Sequence, residues 1–152
     1  MSEKSIDILN TLLEINNDRL LGYQAAFDDT DEADLKTIFA QFSLTSQNCK
    51  KQLIAEIIKM GGTPIKEVHT SGILHRAWMD LKATLSGNDR VTILNSCEFG
   101  ENVAIETYNK ALTNNSEYLS GNQQTMIIKQ QKLIQADLDR VKGLRNLLIQ
   151  LT

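Results

Sequence analysis

Val91-Thr-Ile-Leu94-Asn-Ser-Cys97-Glu98-Phe-Gly-Glu101-Asn-Val-Ala-Ile105-Glu-Thr-Tyr108-Asn-Lys-Ala-Leu112 is the stretch whose reading decides the fold. Its apolar residues recur at steps of three and four, the spacing of one face of an α-helix. The inward stripe reads Val91, Leu94, Glu98, Glu101, Ile105, Tyr108 and Leu112. Two carboxylates thus fall at consecutive core positions. A buried carboxylate is costly unless it is neutralised, hydrogen-bonded, paired with a cation or bound to a metal. Glu98 and Glu101 are therefore the candidate functional residues of the chain.

Three more helices follow from the same spacing. The first, over residues 5–27, carries Ile6, Leu9, Leu13, Asn16, Leu20, Tyr23 and Phe27 on one stripe. Asp28-Asp29-Thr30-Asp31 interrupts it and offers caps to the next helix. The second, over residues 32–60, presents Leu35, Phe39, Phe42, Ser46, Cys49, Leu53, Ile57 and Met60, and Gly61-Gly62-Thr63-Pro64 ends it. Gly87-Asn88-Asp89 precedes the third helix, which runs to about residue 113. Asn114-Asn115-Ser116 is a short turn with Ser116 as N-cap. The fourth helix starts there and carries Ile127, Gln130, Ile134, Asp137 or Leu138, Val141, Leu144, Leu148 and Leu151. Gly121 and Gly143 weaken it locally.

Connection lengths set the topology. The turns between helices one and two and between three and four span a few residues, which makes each pair antiparallel neighbours. Residues 61–88 separate helices two and three and contain a short helix of their own, from Ser71 or Gly72 to about Leu85, with Leu74, Ala77, Trp78, Leu81 and Leu85 apolar. A helix of about 28 residues is ~42 Å long, and a part-extended, part-helical segment of as many residues can return along that length. The expected architecture is all-α: one domain over residues 1–152, a four-helix bundle with one long crossover carrying a short extra helix, as in ferritin-like folds. Folding the helices about their turns brings Asn16, Ser46, Glu101 and Gln130 into one polar layer in mid-bundle. Glu98 falls about one turn away, at the level of Leu20 and Phe42.

Composition narrows the class. The chain has 152 residues, 41% hydrophobic and 23% charged, with one Pro and 5% aromatics, which favours a helical globular protein over a β-sandwich. A net charge of −3 with dispersed Lys and Arg leaves no basic patch for nucleic acid. No stretch reaches the ~20 apolar residues of a membrane span, and the charged N-terminus lacks the apolar core of a signal peptide. Cys49 and Cys97 lack C-x-x-C spacing and read as reduced thiols packed as small hydrophobes. The expectation is a cytoplasmic protein, monomer or homodimer, without nucleic-acid or membrane partners.

The run Gly72-Ile-Leu-His75-Arg76-Ala-Trp78-Met-Asp80-Leu-Lys82, the element Cys97-Glu98-Phe-Gly100-Glu101 and the ending Leu144-Arg145 resemble a bacterial family of ferritin-like four-helix-bundle proteins of unknown function. The resemblance extends over almost the whole chain and implies the fold and a bacterial origin. Ferritin-like di-metal sites take a Glu from each of two helices and a Glu-x-x-His from each of the other two. This chain has no Glu-x-x-His, and its two histidines, His69 and His75, both lie in the crossover. Leu20 and Leu138 stand where the resemblance leads one to expect an acidic residue and a histidine. Glu98 or Glu101 matches the third-helix carboxylate alone.

Each feature also has a plainer reading. Glu98 and Glu101 can be held by hydrogen bonds to Gln130, Asn16, Ser46, Tyr23 or Tyr108, or one of them can turn to the bundle edge and pair with a Lys or Arg. His75 reads as a surface or docking residue, His69 as a loop residue, and Trp78 as the anchor of the crossover. Phe99 falls on the outer face of helix three, packed under the crossover or at a subunit contact. No Ser-His-Asp arrangement, phosphate loop or dinucleotide fingerprint is present, so the weight falls against an enzyme. The leading expectation is a non-catalytic binding or structural module with a polar core layer and no required cofactor. The alternatives are a degenerate carboxylate site at Glu98 and Glu101 with weak divalent-metal binding (iron, manganese or zinc) and oxidase-like activity, and a partner-binding adaptor that uses the crossover and Phe99.

Overall fold

A computed structural model describes residues 2–66 and 90–151. Four long helices account for most of them: α1, Ser2–Asp29; α2, Ala33–Lys59; α3, Arg90–Asn114; and α4, Gly121–Leu151. A 3-10 turn, Ser116–Tyr118, lies between α3 and α4. The described residues contain no strand, and no helix among them is long and apolar enough to cross a membrane. The segment in which the short crossover helix is expected, with His75 and Trp78, falls outside the described residues, as do His69 and Gly87-Asn88-Asp89.

The helix ends follow their local chemistry. At the α1–α2 turn the Thr30 hydroxyl accepts the Glu32 N–H at 3.2 Å. Lys36 donates to the Phe27 carbonyl at 2.6 Å and lies over the Phe27 ring, placing a cation at the negative end of the α1 dipole. α2 ends in a Schellman motif: Gly61 N–H donates to Ile58 O and Gly62 N–H to Ile57 O, both at 2.9 Å. Gly61 adopts φ +80, open to glycine at little cost. Gly62 lies so close to α1 that a Cβ there would come within 2.9 Å of the Ile6 side chain.

The sequence reading started helix four too early. Ser116 opens the 3-10 turn, and the cap of α4 is Ser120. The Ser120 hydroxyl accepts the Gln123 N–H at 3.1 Å while the Gln123 side chain accepts the Ser120 N–H at 2.9 Å. This reciprocal capping box satisfies two N–H groups that the first helical turn leaves without partners.

α1 packs most extensively on α2, and α3 on α4. Both pairs are antiparallel: Tyr23 of α1 stacks on Phe39 and meets Phe42 edge-on, both on α2, and Arg145 of α4 reaches back to Asn95 of α3. The pairs face one another through α1 with α3 and α2 with α4. Asn16 meets Tyr108 while Arg19 meets Glu101, so α1 and α3 are antiparallel. Gln123 meets Glu56 while Gln130 meets Gln52, so α2 and α4 are too. It follows that α2 and α3 run parallel.

The ends of the connection agree with this. Asn10 of α1 clasps its beginning, donating to Thr63 O at 3.1 Å and accepting the Ile65 N–H at 3.0 Å. Arg90 pairs with Glu32 and Asp34 at the other end of α2. With 27 residues in α2, the two ends stand ~40 Å apart. The long return expected between helices two and three is therefore required.

The core contains Leu9, Leu12, Leu13, Leu35, Phe39, Phe42, Leu53, Ile57, Leu94, Ile127, Ile134 and Val141, all essentially inaccessible. Each such side chain contributes about 1.5–3 kcal/mol on burial. Two faces differ from the expected stripes. On α1 the inward series continues Asn16, Arg19, Tyr23, Ala26, while Leu20 is half-buried and Phe27 is exposed. On α3 it is Leu94, Cys97, Glu101, Ala104, Tyr108, Ala111, with Glu98 only half-buried. The small residues Cys97, Ala104 and Ala111 fill the core positions. Burying Glu98 in their place would bring in a second carboxylate at a cost of several kcal/mol.

Gly61→Ala should destabilise the protein by about 1 kcal/mol, from backbone conformation alone, because a Cβ there meets nothing within 4 Å. Urea denaturation checks this, with an unchanged m-value expected.

Candidate functional site

Arg19 organises the centre of the bundle. It is wholly buried and sits where one side chain from each helix converges. Its Nε donates to Glu101 Oε1 at 2.7 Å and its Nη2 to Glu101 Oε2 at 2.6 Å, a two-pronged pair between α1 and α3. Nη1 donates to the Ser46 hydroxyl of α2 at 2.5 Å, and Nη2 also reaches Asp137 Oδ2 of α4 at 3.2 Å. The guanidinium carbon lies 5.5 Å from the centre of the Tyr23 ring, within cation–π range.

Charge states follow from this packing. Burial pushes the Glu101 carboxyl above its usual range, and the Arg19 charge pulls it back. Because both Glu101 oxygens accept an N–H from Arg19, the group is a carboxylate. Burial opposes the charge on Arg19, but attraction by Glu101 and its hydrogen bonds outweigh that and hold the guanidinium proton more tightly than usual. Burial also raises Asp137. Tyr23 and Tyr108 are pushed well up by burial, so both phenols stay neutral. Burial pushes Cys49 up to about 11 and Cys97 higher still, with the Glu101 charge adding to the latter. Both thiols are free, buried and protonated, which makes them poor nucleophiles.

A second polar layer crosses the bundle beside the first. The Tyr108 hydroxyl donates to Gln130 Oε1 at 2.7 Å and accepts from Asn16 Nδ2 at 2.8 Å. Asn16 Nδ2 also donates to Leu12 O at 2.9 Å. Gln130 Nε2 donates to Gln52 Oε1 at 2.9 Å and to Cys49 O at 3.3 Å. This layer is uncharged, and it too draws on all four helices.

The expected single layer of Asn16, Ser46, Glu101 and Gln130 is thus two. Ser46 and Glu101 belong with Arg19; Asn16 and Gln130 belong with Tyr108. The offset arises because the α3–α4 turn is centred near Leu119 rather than Asn115, which sets Tyr108 opposite Gln130 and Glu101 opposite Asp137. Glu98 is not in either layer. It stands at the edge of the α3–α4 pair, bound to the Arg145 guanidinium, with a fifth of its side chain exposed. The alternative in which one glutamate turns outward to a basic partner describes its placement. Phe99 is 52% exposed; the crossover expected to cover it lies outside the described residues.

Arg19 is hard to read as a core residue from sequence because hydrophobic spacing favours its neighbour Leu20. A signal was available. Asn16, Arg19, Tyr23 and Ala26 keep the three–four spacing, and Arg19 is the one basic residue in the interior of α1. A buried carboxylate calls for such a partner. Asp137 was one of two alternatives on helix four, and both it and Leu138 are buried.

The oxygen atoms around Arg19 do not fit a metal ion as they stand. The guanidinium takes the carboxylate lone pairs that a divalent cation would need, and the described residues contain no group of three or more His, Cys, Asp or Glu side chains suited to a metal. What the arrangement does chemically is neutralise and orient. It fixes four helices about one buried cation.

Arg19→Met should therefore destabilise the bundle by about 3–5 kcal/mol, since it strands Glu101 without its countercharge. Arg19→Met combined with Glu101→Leu should recover most of that loss. Arg145→Ala at the bundle edge should cost no more than about 1 kcal/mol. A double-mutant cycle by chemical denaturation measures all three; additive effects of the Arg19 and Glu101 changes would contradict the pairing.

No curated protein matches the sequence. One family, described as "Domain of unknown function (DUF2383)", matches residues 4–114. That segment takes in α1, α2, their connection to α3, and α3 itself, with Arg19, Ser46 and Glu101 inside it and Asp137 beyond it. With nearly three quarters of its length matched, the chain belongs to the DUF2383 family of domains of unknown function.

Proposed function

We propose that this chain is a non-catalytic, cytoplasmic four-helix-bundle module of ferritin-like type, a single domain in which an arginine takes the central position that metal cations take in the ferritin-like oxidases. One observation carries the reading: Arg19 is the only cation at the meeting point of Ser46, Glu101 and Asp137 among the described residues. Its charge offsets Glu101 permanently, whereas a bound metal would leave open positions for oxygen or substrate. The helix order supports the fold type. Neighbouring helices are antiparallel, diagonal ones are parallel, and one long connection joins the halves, as in ferritin-like bundles.

Metal analysis of protein purified without chelators, with melts in added Fe(II), Mn(II) and Zn(II), tests this. The expected result is far less than one equivalent of metal and no rise in Tm, because a ligand specific for the folded state raises Tm by mass action. Stoichiometric iron or manganese that disappears in Glu101→Gln would overturn the reading in favour of a carboxylate metal site.

A protein-binding adaptor is the second reading, favoured by the exposed Phe99 on the outer face of α3. Phe99→Ser should then abolish co-purification of a defined partner while leaving the melting temperature unchanged. Loss of the fold with the partner, or retention of both, would count against it.

A further inference from the structure

Two buried carboxylates face one guanidinium in the central cluster, and they are held unequally. Glu101 occupies both Nε and Nη2 of Arg19 at 2.7 and 2.6 Å. Asp137 has only a share of Nη2, at 3.2 Å. Arg19 and Glu101 together are neutral, so an ionised Asp137 would leave one uncompensated negative charge in the bundle. The surroundings supply one hydroxyl and one exposed cation to offset it. α1 presents Arg19, already taken, and the neutral phenol of Tyr23; α2 presents the Thr45 hydroxyl, whose hydrogen bond favours the carboxylate, with neutral Ser46 and Cys49; α3 presents Glu101, of the same sign; and on α4 the cation is Arg140, which is exposed. Asp137 is 7% exposed, too little for bulk water to screen it.

We propose that the Arg19 cluster is a proton-uptake site: Asp137 takes up one proton as the helices pack, so the bundle is tightest under mildly acidic conditions and loosens along the α2–α4 seam as pH rises. The added proton sits on a carboxyl oxygen of Asp137, which makes the side chain neutral beside the neutral Arg19–Glu101 pair. Burial raises Asp137 from its ordinary 3.8, in the same direction. The sign follows from linkage. A carboxyl that titrates higher when folded binds more protons in the native state, so its contribution is complete below pH 3.8 and is lost as pH rises through the folded value. This inference goes beyond the proposed function and holds whether or not the module has a partner.

The test pairs a direct titration with a variant. Carboxyl-carbon NMR of the intact protein follows Asp137 and Glu101 together, since interacting groups titrate as a pair. Denaturation from pH 4 to pH 8 follows the wild type and Asp137→Asn. The expected result is an Asp137 midpoint above the ordinary aspartate value and a wild-type stability that falls with rising pH. Asp137→Asn should flatten that slope and lower the unfolding constant at pH 7 by about tenfold for each pH unit by which folding raises the midpoint. An Asp137 midpoint at or below 3.8, an unchanged slope in the variant, or a variant that fails to fold would each overturn the proposal, because a neutral side chain is what it places at this position.

Discussion

The fold depends on the pair between Arg19 and Glu101. Apolar side chains fill most of the interior and contribute most of the driving force, but a leucine face can slide along another leucine face at small cost. The Arg19–Glu101 pair cannot. Displacing α3 by one turn along α1 would leave a guanidinium and a carboxylate buried apart, at several kcal/mol. The pair thus fixes the register of the two helical hairpins, much as a polar residue fixes register in a coiled-coil seam. Tyr108, Asn16 and Gln130 act in the same sense without charge, through hydrogen bonds that one geometry satisfies.

A metal-centred bundle and this one answer the same electrostatic problem differently. Carboxylates pointing into a low-dielectric interior need positive charge. An ion supplies it with vacant coordination sites and hence with reactivity. A guanidinium supplies it through directed N–H groups with no vacant coordination site, and its shape selects a carboxylate approached edge-on.

Much of this was legible in the sequence. The periods of three and four, the Gly61-Gly62 stop and the short turns around Thr30 and Asn115 marked four helices and their pairing, and Ser46, Glu101, Asn16 and Gln130 were recognised as polar residues facing inward. The phase of two stripes was not. On α3 the series through Glu98 and the series through Cys97 share Leu94, Glu101 and Tyr108, so periodicity alone cannot separate them. Tertiary energetics does, because Cys97 is buried at little cost and Glu98 is not. On α1 hydrophobicity favoured Leu20 over Arg19, and only the presence of a buried carboxylate on another helix reverses that preference. The start of α4 was misplaced for a local reason: two serines precede it, and the glutamine three residues after Ser120 distinguishes the true cap.

The Asn10 clasp has a consequence for how the chain reaches its native state. α1 with α2, and α3 with α4, each close through contacts near in sequence, which form fast. The central pair joins residues 82 positions apart and can form only once one hairpin meets the other. By holding Thr63 and Ile65 against α1, Asn10 turns the departing chain back along the hairpin it has just left. A chain already turned back at Thr63 and Ile65 leaves fewer orientations open to the segment that follows, and so lowers the entropy lost when the distant pair closes.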